Sequence, residues 1–217
     1  MIKGFNFNEW REKYDSYSFK QQKEINNRFE SLFPRQQKFV TKEVVNFLKD
    51  IPNPKILEIG GWKGELAFQT LAQNKKIILW HNYDICSNAI DKNICKDERF
   101  KSIVLTDFAW NLDIFSEYNT CILSHIIEHV RKHELEKLFK KLKNIKYFYI
   151  QAPLNSPYLL SGWNNFYGTH ILECGWKGIT NMLKNYNETI IINTSRKEWD
   201  STRNPRNIRI YRLKKKF

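Results

Sequence analysis

Several features are scarce or missing in this 217-residue chain, and each excludes something. No apolar run approaches the roughly 20 residues that a membrane-spanning helix needs. The first residues, MIKGFNFNEWREKYD, have no apolar core of the kind a secretory leader carries, so a cytoplasmic location is expected. There are four cysteines, Cys86, Cys95, Cys121 and Cys174, and none falls in a C-x-x-C pair. That spacing argues against a zinc ribbon or a thioredoxin-type site and for free, mostly buried thiols. Internal repeats and low-complexity linkers are also missing. The length suits one domain with a sizeable core rather than two.

Basic charge, by contrast, is plentiful. Lys and Arg number 36 against 23 Asp and Glu, a net charge of +13. Such an excess attracts nucleic acid or anionic substrates. Yet the lysines are spread over many segments, and the one tight cluster is Lys214-Lys215-Lys216. Lys, Asn and Ile are abundant throughout, as in a chain encoded by AT-rich sequence. Nucleic acid is therefore the weaker expectation for a partner.

Hydrophobic periodicity divides the chain in two. Residues 1–50 read as a helical extension: Trp10, Tyr14 and Tyr17 form one stripe, Phe39, Val44, Phe47 and Leu48 another, with Pro34 between them. Ile51-Pro52-Asn53-Pro54 ends that pattern, because proline and the residue before it resist helical geometry. From residue 51 to 217 one domain is expected. Strands are expected at Lys55–Ile59, Ile77–Tyr83, Ser102–Leu105, Thr120–Ser124 and Tyr147–Gln151. The intervening helices are Glu65–Gln73, Ser87–Ile94 with Ser87 as N-cap, and one through His133–Lys143. Strands alternating with helices imply an α/β fold with a parallel sheet covered on both faces. Residues 153–175 form a long aromatic loop of the kind that serves as a lid. A helix near Lys177–Tyr186 and strands at Thr189–Asn193 and Asn207–Leu213 complete the pattern.

Four motifs carry chemistry. Ile56-Leu-Glu-Ile-Gly-Gly-Trp-Lys-Gly-Glu-Leu66 is a buried strand ending in a glycine-rich turn before a helix. Glycines there allow positive φ and close approach of a ligand. Gly60, Gly61 and Gly64 do not have the G-x-G-x-x-G spacing of a dinucleotide fingerprint. Asp84, in Asn82-Tyr-Asp-Ile-Cys, lies about 20 residues further on, at the tip of the second strand, where a carboxylate accepts from ribose hydroxyls. It would equally serve as a cap on the next helix. Asp107-Phe108, in Leu105-Thr-Asp-Phe, joins a carboxylate to a ring and suits adenine, though a loop aspartate is also a common structural residue. The fourth motif, Cys121-Ile-Leu-Ser-His-Ile-Ile-Glu-His-Val130, reads as a buried strand running directly into a helix.

In this order and at this spacing, LEIGGWKGELA, NYDICSNAID, LTDF and ILSHIIEHV resemble the four motifs of class I S-adenosylmethionine-dependent methyltransferases. The SHIIEHV stretch resembles their small-molecule branch. The resemblance covers residues 55–152 and, more weakly, the last two strands. It implies a Rossmann-like, seven-stranded, mostly parallel sheet with helices on both faces, the last strand antiparallel. It further implies S-adenosylmethionine as cofactor and a hydroxyl or amine of a small molecule, a sugar, lipid or secondary metabolite, as acceptor. On that basis Glu58, Gly60, Gly61 and Gly64 would form the cofactor turn, Asp84 with Ile85 would hold the ribose, and Asp107 with Phe108 the adenine. Ser124 and His125 would border the methyl group. Trp62 stands where the family has glycine. Either Gly61 supplies the missing flexibility or Trp62 swings outward over the site.

Methyl transfer from a sulfonium mainly requires alignment of donor and acceptor, with a base helpful for a hydroxyl acceptor. His125, at the carboxyl end of the fourth strand, is the first candidate for the base, and His170 in the aromatic loop the second. Tyr158, Trp163, Phe166, Tyr167 and Trp176 would roof the acceptor site. His129 and His133 stand i, i+4 and would share a helix face, but the order is not H-E-x-x-H, and no metal is expected. Two other readings compete. An RNA methyltransferase is favoured by charge, but the Asn-Pro-Pro-Tyr and Pro-Cys patterns are missing. A non-catalytic binding subunit is favoured by Trp62 and opposed by the two aspartates.

Overall fold

The structure is a computed structural model and describes residues 6–9, 11, 12, 15, 33–91, 93–113, 115–152, 179, 181, 182, 189–193 and 209–214. Residues 7–9, 11, 12 and 15 are helical. Helix α1 (Phe33–Leu48) leads into β1 (Lys55–Ile59), α2 (Glu65–Gln73), β2 (Leu79–Asp84), α3 (Ser87–Asp91), β3 (Phe100–Val104) and β4 (Thr120–Ser124). Helix α4 (Lys132–Lys141), β5 (Tyr147–Ala152), β6 (Thr189–Asn193) and β7 (Arg209–Lys214) follow.

The strands form one sheet in the order β3-β2-β1-β4-β5-β7-β6. The first five run parallel, Ile56 facing Trp80 on one side and Thr120 on the other. Beyond them β7 pairs antiparallel with β5, and β6 antiparallel with β7. Sequence order reverses at β1, which sends the chain first to β2 and later to β4. The carboxyl ends of β1 and β4 therefore bound the crevice where open α/β sheets take ligands.

The core follows from alternation along the central strands. Ile56, Ile122 and Tyr149 face one layer, with Val40, Val44 and Leu48 of α1 and Ala67 and Leu71 of α2. Leu57, Leu123, Phe148 and Ile150 face the other, with Leu135, Leu138 and Phe139 of α4. The central strands are buried on both faces, which is why they read as continuous apolar runs. Val40, Val44 and Leu48 lie one helical turn apart, so α1 buries one stripe in the same core as β1. Each such side chain contributes roughly 1.5–3 kcal/mol.

Several expected boundaries move, each for a visible reason. Strand β2 starts at Leu79, not Ile77, because the Ile78 N–H bonds to Pro54 O and the Arg99 guanidinium reaches Ile77 O. Helix α3 stops at Asp91, short of Ile94, because the Asn93 side chain accepts the Cys95 N–H at 2.7 Å and turns the chain. Strand β3 begins two residues early, at Phe100. Pro34 stands in the first turn of α1, where its missing N–H costs nothing. Ser87 does not cap its helix with its oxygen; its hydroxyl donates to Asp15 at 3.2 Å, and the Cys86 N–H goes to Asp84. β4 does not run directly into a helix: a 3-10 turn at Ile127–His129 intervenes, and Arg131 is extended. His129 and His133 therefore do not share one helix, which removes the i, i+4 argument. The expected helix near residues 177–186 and the aromatic loop at 153–175 lie largely or wholly outside the described residues.

Gly64 starts α2 at φ 82°, and a Cβ there would stand 2.6 Å from the Phe100 ring. Left-handed backbone costs an L-residue about 1–2 kcal/mol. Gly64→Ala should therefore lower unfolding stability by about 2 kcal/mol or more, measured by urea denaturation. An unchanged midpoint would show that the turn and the ring relax freely.

Candidate functional site

The site is built from the four turns that leave β1, β2, β3 and β4. After β1, the Gly60 N–H donates to Tyr83 O at 2.7 Å and extends the β1–β2 ladder by one residue. Two side chains of β2 then hold the rest of the turn. Asn82 Oδ1 accepts the Gly61 N–H at 2.9 Å, and Asn82 Nδ2 donates to Trp62 O at 2.9 Å. Asp84 Oδ2 accepts the Trp62 N–H at 2.9 Å. Asn82 and Asp84 are two residues apart, so the pleat aims both at the same turn.

Trp62 itself adopts φ 53°, while Gly61 has no positive φ. The expectation that Gly61 supplies the flexibility is thus corrected: Trp62 takes the left-handed conformation, held by its hydrogen bonds to Asn82 and Asp84. Gly61 matters for space instead, since a Cβ there would collide with the Glu58 carboxylate and Asn82. Because the N–H groups of residues 61 and 62 point at β2, this turn is not a phosphate cradle, which needs them turned to the ligand.

Glu58 lies beneath the turn, not on its open side. It is 2% exposed and accepts a hydrogen bond from Trp80 Nε1 at 2.8 Å. Burial pushes its carboxyl up to about 8; the Trp80 bond opposes that, and the nearby Glu65 and Asp84 add to it. Asp84 is also buried, and burial raises its carboxyl against the opposing N–H groups of Cys86, Trp62 and Ile85. Its Oδ1 takes the Cys86 N–H at 2.8 Å, so the capping role foreseen for Asp84 is present. Ile85 is half-buried against the α4-side core.

On the β3 turn, Asp107 Oδ1 accepts the Phe108 N–H at 2.7 Å and Oδ2 the Asn111 amide at 3.1 Å. The Phe108 ring stacks on Trp110 with centroids 4.6 Å apart and planes at 8°. Phe7 meets it edge-on at 5.3 Å. Arg11 Nη2 donates to Leu105 O at 3.4 Å, and Asp15 accepts from the Ser87 hydroxyl and the Cys86 thiol. Phe7, Arg11 and Asp15 are spaced four apart and so form one helical face lying on the β2 and β3 turns. The sequence reading missed this face by following the aromatic stripe of Trp10, Tyr14 and Tyr17; the signal was the four-residue spacing of a ring, a cation and an anion.

At the end of β4, Ser124 and His125 are half-buried. His125 has φ 57°, a left-handed conformation that histidine adopts more readily than most residues. Its N–H donates to Gln151 O at 2.8 Å, and its Nε2 lies 3.3 Å from Gln151 Nε2. The next residue, Ile126, packs beneath Gly60, where a Cβ would collide with it. The structure thus brings Gly60, Gly61, Asp84, Ile85, Asp107, Phe108, Ser124 and His125 to one edge of the sheet. His170 lies outside the described residues. Cys86, Cys95 and Cys121 are buried thiols outside any disulfide, and no group of metal-ligating side chains occurs among the described residues.

No protein-family model and no curated protein matches the sequence. Solved structures do match. Magnesium protoporphyrin IX methyltransferase from Synechocystis PCC 6803, with bound SAH, superposes with a TM-score of 0.72 at 15% identity, covering 97% of this chain and 99% of that one. N-methyltransferase NodS from Bradyrhizobium japonicum WM9 gives 0.62 at 10% identity, over 89% and 99%. The methyltransferase domain of bacterial CtHen1 gives 0.63 at 15%, over 85% and 99%. At such identities the likeness establishes the fold: this chain has the Rossmann-like fold of S-adenosylmethionine-dependent methyltransferases.

The buried Glu58 makes stability depend on pH. A carboxyl raised from 4.5 to about 8 by folding favours the folded state below pH 4.5 and loses that advantage as pH rises to about 8. The wild-type chain should therefore lose stability over this window at on the order of 1 kcal/mol per pH unit. Glu58→Gln should flatten the profile in thermal melts between pH 5 and 8. Parallel profiles for the two proteins would contradict a neutral Glu58.

Proposed function

We propose that this chain is an S-adenosylmethionine-dependent methyltransferase whose acceptor is a hydroxyl or amine of a small molecule. The observation that carries the reading is the charge of the site. Asp15, Glu65, Asp84 and Asp107 all lie on or against the turns of the first three strands, in a chain of net charge +13. An acidic crevice in a basic protein fits a cationic ligand, and the S-adenosylmethionine sulfonium and ammonium are both cations. The same crevice disfavours nucleic-acid phosphates at this edge.

The residues fit the cofactor in kind. Asp84 would take the ribose hydroxyls and Asp107 with Phe108 the adenine, while Gly60 and Gly61 let the β1 turn pack tightly on Ile126, Glu58 and Asn82 beside them. Bound there, S-adenosylmethionine supplies a methyl group already activated by the positive sulfur. The protein's own work is then alignment and exclusion of water. Phe7, Arg11 and Asp15 close over the β2 and β3 turns, and His125 and Ser124 face the acceptor side from β4. That one of the structural neighbours is an N-methyltransferase supports an amine in the acceptor class.

Two measurements test the reading. Calorimetry should detect S-adenosylmethionine binding to the wild-type chain, and no binding would leave a non-catalytic protein of the same fold. Asp107→Ala should weaken that binding by about tenfold, equivalent to ~1.4 kcal/mol, with little change in melting temperature, because Asp107 is only part-buried. Retention on heparin that collapses with modest salt would favour a nucleic-acid acceptor instead.

A further inference from the structure

Trp62 stands on the turn after β1, at the switch point of the sheet, and the packing of the fold makes no use of its ring. Its two hydrogen bonds are both made by the backbone: the N–H goes to Asp84, and the carbonyl takes the Asn82 amide. The side chain is half-buried, yet it packs in neither core layer and makes no ring contact or hydrogen bond among the described residues. Among those residues Thr70 Oγ1 is the one sealed side-chain polar atom without a partner, so the unbonded indole N–H lies open. As a piece of folding this arrangement is unfavourable. A φ of 53° is strained for a residue with a Cβ and open to glycine, which would present the same N–H and carbonyl to β2. Tryptophan carries the strain and returns no packing to the core. Strain held in place by surrounding bonds, at the edge of a ligand crevice, points to function.

We infer that the Trp62 indole is the wall against which the cationic end of the cofactor lies, and that it sets a preference for a charged sulfur over a neutral one. The inference rests on the methyltransferase reading and adds a residue to it. With the ribose on Asp84 at the β2 tip and the adenine on the β3 turn, the cofactor runs along the sheet edge from β3 toward β4. Its sulfonium then comes to the turn between them, where Trp62 stands. The face of an indole is the best aromatic site for a cation, and the attraction grows where water is excluded. Asp84, bonded to the Trp62 N–H, sets a carboxyl group next to the same residue, and the charge of Lys63, the next residue, is opposed by Glu65 of α2. A thioether carries no charge for the ring to attract. The demethylated product, S-adenosylhomocysteine, therefore loses this contact and leaves more readily than the methyl donor.

Two measurements on the full chain test this, one of them without a ligand. Trp62→Gly removes the strain together with a ring that the core does not hold, so its urea midpoint should equal or exceed that of the wild-type chain. A fall in the midpoint would assign the ring to the fold and overturn the inference. Calorimetry with S-adenosylmethionine and S-adenosylhomocysteine then reads the charge. Trp62→Leu keeps an apolar side chain on the same left-handed backbone but has no π face. It should lose about tenfold in affinity for S-adenosylmethionine and about twofold or less for S-adenosylhomocysteine, with Trp62→Phe in between. Equal losses for the two ligands would make the ring a neutral packing surface, and tighter binding by Trp62→Leu would make it a plug; each overturns the inference. Binding that ignores Trp62 sinks this inference alone, whereas a wild-type chain that binds neither ligand sinks the methyltransferase reading and the inference with it.

Discussion

The site depends on the turn after β1 being tied down by the strand beside it. A glycine-rich turn is permissive by itself, and permissiveness does not select one conformation. Selection comes from β2: Asn82 and Asp84 together take the N–H groups of Gly61 and Trp62 and give one to the Trp62 carbonyl. These bonds are short and part-buried, which limits competition from water and raises their weight. From the β4 side, Ile126 fills the space under Gly60. The β1 turn is thus wedged between its two neighbours, and the crevice at the switch point has rigid walls on both sides. A tryptophan in the left-handed region is tolerable in that setting, since three hydrogen bonds of about 1 kcal/mol each outweigh a strain of 1–2 kcal/mol.

Charge then gives the crevice its character. Glu58 and Asp84 sit close under the same turn; burial raises both carboxyls, Asp84 raises that of Glu58 further, and Asp15 adds to that of Asp84. Two ionised carboxylates so near would repel; a neutral Glu58 removes the conflict while still accepting from Trp80. Asp84 keeps three N–H neighbours and has the stronger claim to remain charged. The division of roles is therefore set by hydrogen bonding: one carboxyl supports the turn from below, uncharged, and the other presents its charge at the strand tip.

How much of this was legible beforehand varies with the physics involved. Strands β1 and β4 are largely buried and mostly apolar, between turn residues, and both were readable to the residue, as was β6 from Thr189-Ile-Ile-Ile-Asn193. β2 and α3 shifted because side chains of Arg99 and Asn93 compete for backbone groups, which periodicity does not register. The four motifs of the site were visible as types and spacings. Their mutual support was not, since it runs between residues some 20 apart: Gly61 to Asn82, Trp62 to Asp84, Trp80 to Glu58. The Phe7, Arg11 and Asp15 face was hidden for a related reason. Aromatic residues dominate a hydrophobic count, and a helix face that docks through one ring, one cation and one anion scores poorly in it.

The capping and ligand-binding readings of Asp84 were opposed as alternatives in the sequence, and the geometry makes them compatible. A carboxylate has two oxygens and about four acceptor sites. Trp62 uses one site on Oδ2, Cys86 one on Oδ1, and the Ile85 N–H a third, which leaves acceptor capacity still open. These N–H donors also fix the plane of the carboxylate, so what remains of its acceptor capacity has a set direction. Two hydroxyls on adjacent carbons would meet such a group without further ordering of the side chain, and preorganisation of that kind lowers the entropic cost of binding. The capping bonds thus orient the strand-tip carboxylate, and a residue chosen only to cap the turn, such as serine, would lack its remaining acceptor sites.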